Sequence, residues 1–461
     1  MAFTSKTPIP LTPDPYTLTP DRVLAAPTTF FGSLKHLGPG FIMSAAIVGS
    51  GELIATTALG AKAGFVTFWV ILVSCFVKVA LQLEFGKNAI YTGIPTMQSL
   101  NRLPGPRFGP RQTNWTIWLW LSLQTLKVLQ VGGIVGGCAL VLYMGIPGVP
   151  VWVWSVLSAA SAAGLIALGN YGWVEKGSLV MILLFTGLIL LSLIMLQQTP
   201  FAISGSQLAE GFTYSLPPAT VGIALAAFGI SGVGGDEIMY YNYWCIEKGY
   251  AAYSGVNDNS PEWAERAKGW IRVMTLDALC SMVVYTTVTA AFYQLGASLL
   301  HAQGSVPEGY AMVETLSRLF TVTLGPGAQV VFLVGAFFVL YSTLFTATAS
   351  WSRIFADAFG QLGWVNFSNP VTRQRAIATL SWAFPALWCV LYLFIQLPVL
   401  MILLGGIATS VLLLVVVWAA LQFRYRQLPQ SLTPSRAYDF WLWLSVLAIL
   451  GVGVYGIWEV L

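Results

Sequence analysis

Two apolar stretches of this chain are interrupted by glycines that lead directly into acidic residues: Gly49-Ser50-Gly51-Glu52 and Gly232-Val233-Gly234-Gly235-Asp236-Glu237. A glycine in a helix interior costs about 1 kcal/mol relative to alanine, and a carboxylate at bilayer depth costs about 3 kcal/mol or more. Neither feature is expected in a helix that only anchors a protein. The paired interruptions therefore predict a binding site inside the membrane.

The composition excludes a water-soluble globule. Hydrophobic residues make up 56% of the 461 positions, and charged residues only 9%. Such a chain is predicted to be a polytopic membrane protein, with lipid as its surroundings. The net charge of +4 is small. We therefore expect no nucleic-acid partner.

A segment of about 20 apolar residues is needed to cross the hydrocarbon core. Eleven segments of the chain meet this requirement. They are residues 38–60, 65–86, 115–143, 151–170, 174–197, 218–246, 272–297, 327–357, 374–396, 398–422 and 438–460.

The distribution of basic residues predicts the orientation. If the N-terminus is cytoplasmic, only Lys62 and Arg318 of the 22 Lys and Arg residues fall outside, while Lys78 and Lys127 lie within the membrane. Residues 1–36, rich in Pro and Thr, are predicted to be a flexible cytoplasmic tail before a transporter domain at 37–461. A bacterial inner (plasma) membrane is the expected location, and the oligomeric state is left open.

The sequence carries no sign of enzyme chemistry. It contains no Ser/His/Asp set, no phosphate-binding loop and no dinucleotide motif, and its five cysteines all lie in predicted spans without a CxxC pair. We therefore predict that the protein is not an enzyme and has no cofactor, although a coupling proton or cation is possible. The expected partner is an ion or a small-molecule substrate.

The spacing of the two breaks predicts the architecture. An unwound helix exposes backbone groups that lipid cannot satisfy, so a break is tolerated only around a cavity or a bound substrate. Breaks in the first and sixth spans indicate two inverted five-helix repeats, at 37–197 and 218–422, with an eleventh helix at 438–460. This is the all-α arrangement of the leucine-transporter-type fold.

The first span resembles that of the Nramp metal-ion transporters. Gly38-Pro39-Gly40, the break at 49–52 and the turn at 60–64 follow the order of that family's GPG, DPGN and GAxxG motifs. The resemblance implies the same fold and span count, and it implies transport. It departs from the family where the ligands lie, because Gly49 replaces the aspartate and Glu52 replaces the asparagine.

The other family positions differ as well. The resemblance aligns the family's Met-Pro-His with Gly234-Gly235-Asp236-Glu237, so no sulfur ligand is expected there. The acids that serve proton movement in the third span align with Leu129 and Gly132, with Lys127 and Gln130 nearby. The resemblance aligns the family's tenth-span glutamine with Gly405-Gly406, so this ligand is absent.

Our first hypothesis is a metal site of three carboxylates, Glu52, Asp236 and Glu237. With freed backbone carbonyls, such an all-oxygen site suits a hard divalent cation of the Mg²⁺, Mn²⁺ or Ca²⁺ type. Clustered acids also raise one another's pKa, so one of them is a candidate carrier of a coupled proton. This hypothesis describes a secondary transporter that works by alternating access.

Two other hypotheses remain open. The substrate-binding residues in each are those of the two breaks: Gly49, Ser50, Gly51, Glu52, Gly234, Gly235, Asp236 and Glu237. In the first alternative, exposed N–H groups hold the carboxylate of an amino acid or another small organic solute, and Lys127 or Lys78 replaces a coupling cation. In the second, the lysines neutralise the site of a non-transporting sensor or scaffold.

The embedded lysines discriminate between these hypotheses. Lys78, Lys127 and Gln130 are assigned to charge coupling or to neutralisation of the site. A Lys127 ammonium within about 4 Å of Glu52 or Asp236 would fill the site with a permanent cation and disfavour metal binding. Glu84 and Asp277 lie near span ends and are predicted to form structural ion pairs, such as Lys78 with Asp277.

Overall fold

The computed structural model describes residues 14–49, 51–168, 171–304 and 310–460. These residues are mostly helical, and a two-stranded antiparallel sheet pairs β1 (Arg107–Phe108) with β2 (Thr113–Asn114). The helices of the first half are α1 (Phe30–Leu34), α2 (Pro39–Ile47), α3 (Thr57–Ala63), α4 (Phe68–Thr92), α5 (Thr96–Asn101), α6 (Trp115–Gly145), α7 (Val151–Leu168), α8 (Tyr171–Leu196) and α9 (Gly205–Glu210).

The second half continues the helical pattern. Its helices are α10 (Val221–Ile230), α11 (Gly235–Lys248), α12 (Tyr250–Ser254), α13 (Pro261–Leu295), α14 (Ala311–Leu324), α15 (Pro326–Leu362), α16 (Pro370–Ile395), α17 (Pro398–Gln422) and α18 (Arg436–Val460).

The helices are long and apolar enough for a membrane protein. Within the described ranges, eight helical segments meet the length and composition needed to cross a bilayer, and a ninth is the bent pair formed by α2 and the segment Gly51–Ala63. Each of the eleven predicted spans coincides with a helix or a broken pair of helices. The polytopic α-helical class is thus confirmed, while the count of eleven crossings and the limits of the repeats stay predictions.

Both predicted breaks are present. The axis bends by 50° between α2 and the segment Gly51–Ala63, and this segment begins with a π-helical turn at Gly51–Thr56. In the second break, residues 231–234 separate α10 from α11. Gly232 has a φ of 73°, in the left-handed region that favours glycine. Gly232 is therefore required by the turn that separates the two half-helices of the second break.

Asp277 of α13 has a different partner from the one predicted. Its carboxylate accepts hydrogen bonds from the N–H groups of Gly38 (2.8 Å) and Gly40 (2.5 Å), and from the hydroxyl of Tyr241 (3.1 Å). It therefore caps the N-terminus of α2, where free N–H groups and the helix dipole favour an anion. The predicted pairing with Lys78 is wrong, because Lys78 has other partners at the helix break.

Glu84 has the structural role that its position predicts. Its carboxylate lies 2.6 Å from Lys87, one turn further along α4, and accepts a hydrogen bond from the hydroxyl of Tyr438 (2.7 Å). The Lys87 ammonium also lies 3.8 Å from the centre of the Tyr438 ring. This cluster joins α4 to α18.

The tail differs from the prediction, because residues 14–36 pack against the helix ends instead of extending freely. The Tyr16 hydroxyl donates to Glu247 (2.7 Å), and the Trp270 indole donates to the Leu24 carbonyl (2.8 Å). Composition suggested flexibility, but aromatic side chains within this segment and on α13 give it a docking surface. Residues 1–13 lie outside the described part of the chain.

We predict that Asp14→Ala loosens this segment. Asp14 forms an ion pair with Arg373, whose side chain is only 4% exposed. Loss of the partner of a buried charged group typically costs about 1–3 kcal/mol. The variant should unfold at a lower temperature in detergent, and trypsin should cleave it faster at Arg22.

Asp21→Ala is the matched control, because Asp21 is an exposed acid on the same segment. Equal rates of cleavage at Arg22 in Asp14→Ala and in the parent protein would contradict the docking role.

Candidate substrate site at the two helix breaks

The two breaks meet at a cavity of about 60 Å³. Helices α6, α15 and α17 complete its wall. Among the predicted site residues, those that line the cavity are Gly49, Gly51, Glu52, Gly234, Glu237, Lys127 and Gln130. Gly235, Asp236 and Lys78 lie behind this lining, and Ser50 lies outside the described residues. The structure therefore brings most of the predicted site residues to one cavity, and their role in substrate binding stays a prediction.

Glu52 links the two breaks. One carboxylate oxygen accepts from the N–H of Gly49 (3.0 Å), and the other accepts from the N–H of Gly232 (3.3 Å). The residue is buried, with 1% of its surface exposed. A carboxylate that satisfies backbone donors on both unwound segments holds these segments together. Glu52 therefore acts as an internal hydrogen-bond acceptor at the place where the N–H groups were expected to hold a substrate.

Gly49 is required by a close approach from α15. A methyl group at this position would collide with the side-chain oxygen of Thr343. That hydroxyl donates to the carbonyl of Val48 (3.1 Å), which the end of α2 leaves without a helical partner. The absence of a side chain at Gly49 thus allows the Thr343 hydroxyl to hydrogen-bond to the Val48 carbonyl at the first break.

Asp236 is paired with Lys127. The Lys127 ammonium lies 2.5 Å from one Asp236 oxygen, and the other oxygen accepts from Gln124 (2.9 Å) and from the Trp120 indole (3.2 Å). Lys127 also donates to Thr409 of α17 (2.9 Å). The 4 Å condition is met, so a permanent cation neutralises Asp236, and this outcome counts against the metal site as it was predicted. This carboxylate is not available as a metal ligand.

Trp120 and Gln124 were missed in the sequence. Together with Lys127 they follow the spacing i, i+4 and i+7, which places all three side chains on one face of α6. A polar stripe at that spacing within an apolar span was the available signal. The sequence did not show that these three side chains donate to Asp236, because Asp236 lies more than a hundred positions further along the chain.

Lys78 binds backbone oxygens at the end of α10. Its ammonium donates to the carbonyls of Phe228 (2.6 Å), Gly229 (3.1 Å) and Ser231 (2.8 Å). The last carbonyls of a helix lack intrahelical partners and carry the negative end of the helix dipole. Lys78 therefore stabilises the second break, whereas the sequence had paired it with Asp277.

Glu237 and Gln130 keep oxygens without partners. Among the described residues, the Glu237 carboxylate has no salt bridge and no hydrogen bond to another residue, and Gln130 Oε1 is a buried acceptor without a donor. The Gln130 side chain occupies the space that a side chain at Gly405 would need. Gln130 thus places a side-chain amide at the cavity wall from α6, where the family resemblance implied one from α17.

The predicted set of three carboxylate ligands is wrong. Within the part of the chain that the structure describes, no group of three or more His, Cys, Asp or Glu side chains is arranged to hold a metal ion. Glu52 is bound to the backbone and Asp236 to Lys127, which leaves only Glu237. Met239 of α11, the first methionine after the second break, does not line the cavity. The three carboxylates of Glu52, Asp236 and Glu237 and the two ammonium groups of Lys78 and Lys127 form one charged cluster. Its net formal charge is −1.

The fold and the site define a polytopic membrane protein of the transporter class, with two broken helices around a central cavity. A family model described as "Natural resistance-associated macrophage protein-like" (Nramp) matches residues 40–459. The chain belongs to the Nramp family. This membership confirms the resemblance in the first span and confirms that the chain is not an enzyme.

Similar proteins support this assignment. The divalent metal cation transporter MntH of Bacillus subtilis is 24% identical over 351 residues, which cover 76% of each chain. A manganese transporter from Eremococcus coleocola superimposes with a TM-score of 0.57 at 14% identity, over 96% of this chain and 99% of the other. MhsT in complex with L-phenylalanine gives a TM-score of 0.56 at 16% identity, over 90% and 98%. The two structures confirm the leucine-transporter-type fold.

We predict that Gly49→Ala destabilises the protein by about 1–3 kcal/mol, because the added methyl group displaces Thr343 in a packed interior. Its cost should be smaller in a Thr343→Ala background. The measurement is thermal unfolding of the purified variants in detergent.

Gly187→Ala is the matched control for Gly49→Ala. A methyl group there meets no atom within 4 Å, and alanine favours a helix more than glycine does. Equal unfolding temperatures for Gly49→Ala and Gly187→Ala would contradict the proposed close approach.

We also predict that Lys127→Met and Asp236→Asn each destabilise the protein by about 3–5 kcal/mol, because each leaves its partner as an uncompensated buried charge. The double variant should recover much of this loss. A double-mutant cycle on unfolding temperature measures the coupling. Additive losses in the double variant would show that the two groups do not act as a pair.

Proposed function

We propose that this chain is a secondary transporter that moves a hard divalent cation, Mn²⁺ or Mg²⁺, through the cavity at the two helix breaks. The observation that carries the proposal is that Glu237 and Gln130 line this cavity, and that neither the Glu237 carboxylate nor Gln130 Oε1 forms a hydrogen bond to another described residue. They supply one anionic and one neutral oxygen ligand. Of the three predicted carboxylate ligands, Glu237 alone keeps this role in the proposal.

The size of the cavity favours an ion. A volume of about 60 Å³ accommodates a few waters or one partly hydrated ion. Pockets for drug-sized organic ligands are commonly about 300–1,000 Å³. An organic solute would therefore require the surrounding helices to separate.

The chemistry of the lining favours a hard ion. Oxygen donors suit Mg²⁺ and Mn²⁺, whereas soft metals prefer sulfur. No methionine or cysteine belongs to the lining residues in the described part of the chain. The divalent-metal and manganese transporters that resemble this chain point to the same class of cargo.

The charge of the cluster limits the binding strength. Even with all three carboxyl groups ionised, the net charge of −1 compensates only half of the charge on a divalent ion, and the two remaining protein ligands fill only part of its coordination shell. We therefore propose that the ion keeps several of its waters in the site. Its affinity should be lower than that of a site with three free carboxylates.

The Lys127–Asp236 pair keeps a second candidate open. A site that already contains a permanent cation suits a small organic solute better than a site without one, as the alternative hypothesis required. However, the N–H groups of Gly49 and Gly232 are occupied by Glu52. A substrate carboxylate would have to displace Glu52, so we rank this candidate second.

We predict that Glu237→Gln abolishes saturable uptake of Mn²⁺ or Mg²⁺, because Glu237 is the one carboxylate among the described lining residues without a salt bridge or a hydrogen bond to another residue. Uptake is measured in vesicles reconstituted with the purified protein, with and without a pH gradient, and labelled amino acids are tested in parallel. A rise in divalent uptake under an inward proton gradient would support proton coupling. Glu314→Gln, which alters an exposed acid on α14, should transport normally.

Three results would contradict parts of this proposal. Saturable divalent uptake that persists in Glu237→Gln would remove the assigned ligand. Uptake of an amino acid without uptake of any divalent ion would favour the organic substrate. The absence of all uptake would favour a sensor or scaffold.

We further propose that the protein lies in a bacterial inner membrane with its N-terminus in the cytoplasm. The distribution of Lys and Arg between the predicted loops supports this orientation. The bacterial origin of similar proteins supports the location. Enzyme reporters fused to the N-terminus, active on one side of the membrane only, test the orientation.

A further inference from the structure

The broken end of α10 collects backbone oxygens inside the protein. The helix ends at Ile230, and the carbonyls of Phe228, Gly229 and Ser231 point away from the helical hydrogen-bond ladder. Ser74 of α4 donates its hydroxyl to two of them, at 2.8 and 3.0 Å. Carbonyls at the end of a half-helix form a favourable place for a cation.

The Lys78 ammonium fills this place. Its three carbonyl partners require three N–H donors, which an ammonium group has and a neutral amine lacks. The side chain is fully buried, at 0% exposure. Among the described residues it forms no ion pair with a carboxylate at salt-bridge distance. The carbonyl oxygens of the break thus stabilise the positive charge of Lys78 in place of a carboxylate.

We propose that Lys78 is a tethered cation that occupies a site suited to a free monovalent ion such as Na⁺ or K⁺. Carbonyl oxygens that replace a hydration shell bind such ions in membrane proteins. The oxygens around Lys78 Nζ lie 2.6–3.1 Å away, and the side chain brings its own positive charge to them. The break in α10–α11 therefore keeps its shape without a bound ion from solution.

The consequence concerns the positioning of the cargo site. The oxygens held by Lys78 lie at the start of the break, and Glu237 lies in the first turn of α11 on its far side. A free coupling ion would shape this break only when bound, whereas a tethered ammonium shapes it permanently. Lys78 is accordingly a positioning residue, and the protein should need neither Na⁺ nor K⁺ for its folded state.

The test is thermal unfolding of Lys78→Ala in detergent, in chloride salts of sodium, potassium, ammonium and choline at equal ionic strength. Removal of the side chain leaves the carbonyls and a space for a free ion. We expect at least one of the three small cations to raise the unfolding temperature of the variant by about 2 °C or more relative to choline. The parent protein should show no such difference.

Ser74→Ala is the matched control, because it removes a neutral donor from the same carbonyls and leaves the ammonium in place. It should lose stability without any preference among cations. Lys78→Met, which keeps the apolar part of the side chain, provides a second variant if Lys78→Ala is poorly folded.

Two results would overturn the proposal. One is the absence of cation-specific stabilisation in both Lys78→Ala and Lys78→Met, including the case in which both stay unfolded in every salt. The other is an equal preference for Na⁺ or K⁺ over choline in the parent protein. Since unfolding is measured without cargo, a failure here is distinct from a failure of the proposed transport.

Discussion

The structure depends on the backbone groups that two broken helices leave unpaired inside a membrane. Lipid offers these groups no hydrogen bonds, and each unsatisfied group costs several kcal/mol. Glu52 accepts from N–H groups of both breaks, and Lys78 donates to three carbonyls at the end of α10. Thr343 binds the carbonyl of Val48. One buried carboxyl group, one buried ammonium group and one hydroxyl thus hold the unwound segments in place.

This arrangement determines what remains for a substrate. Because Glu52 and Lys78 bind the backbone and Lys127 neutralises Asp236, the described lining of the cavity keeps the Glu237 carboxylate and Gln130 Oε1 without hydrogen bonds to other residues. A chain can therefore keep the family's broken helices while most of the charged residues around the breaks have a structural role. Most of the charged side chains that mark the site in the sequence form contacts that stabilise the fold, and they are not available to a substrate.

The sequence predicted the positions of the elements better than their contacts. The glycine breaks, the helical spans, the role of Glu84 and the presence of Gln130 and Glu237 at the cavity all follow from local patterns. The three-carboxylate site and the pairing of Lys78 with Asp277 were wrong, because an acid or a base within a span has several possible partners on neighbouring helices. The segment from residue 14 to residue 36 was judged flexible by composition, which does not reveal that Tyr16 and Leu24 dock on helix ends.

By itself, the sequence determined a polytopic α-helical membrane protein, the two places where its helices break, and its family. These properties follow from apolar length, from glycine and from motif order, which are all local along the chain. Only the tertiary structure decided which charges are free. That choice depends on the rotation and crossing of helices that bring Lys127 of α6 to Asp236 of α11, and Lys78 of α4 to the end of α10. The glycine breaks mark the site, but the packing around them leaves Glu237 as its unpaired acid.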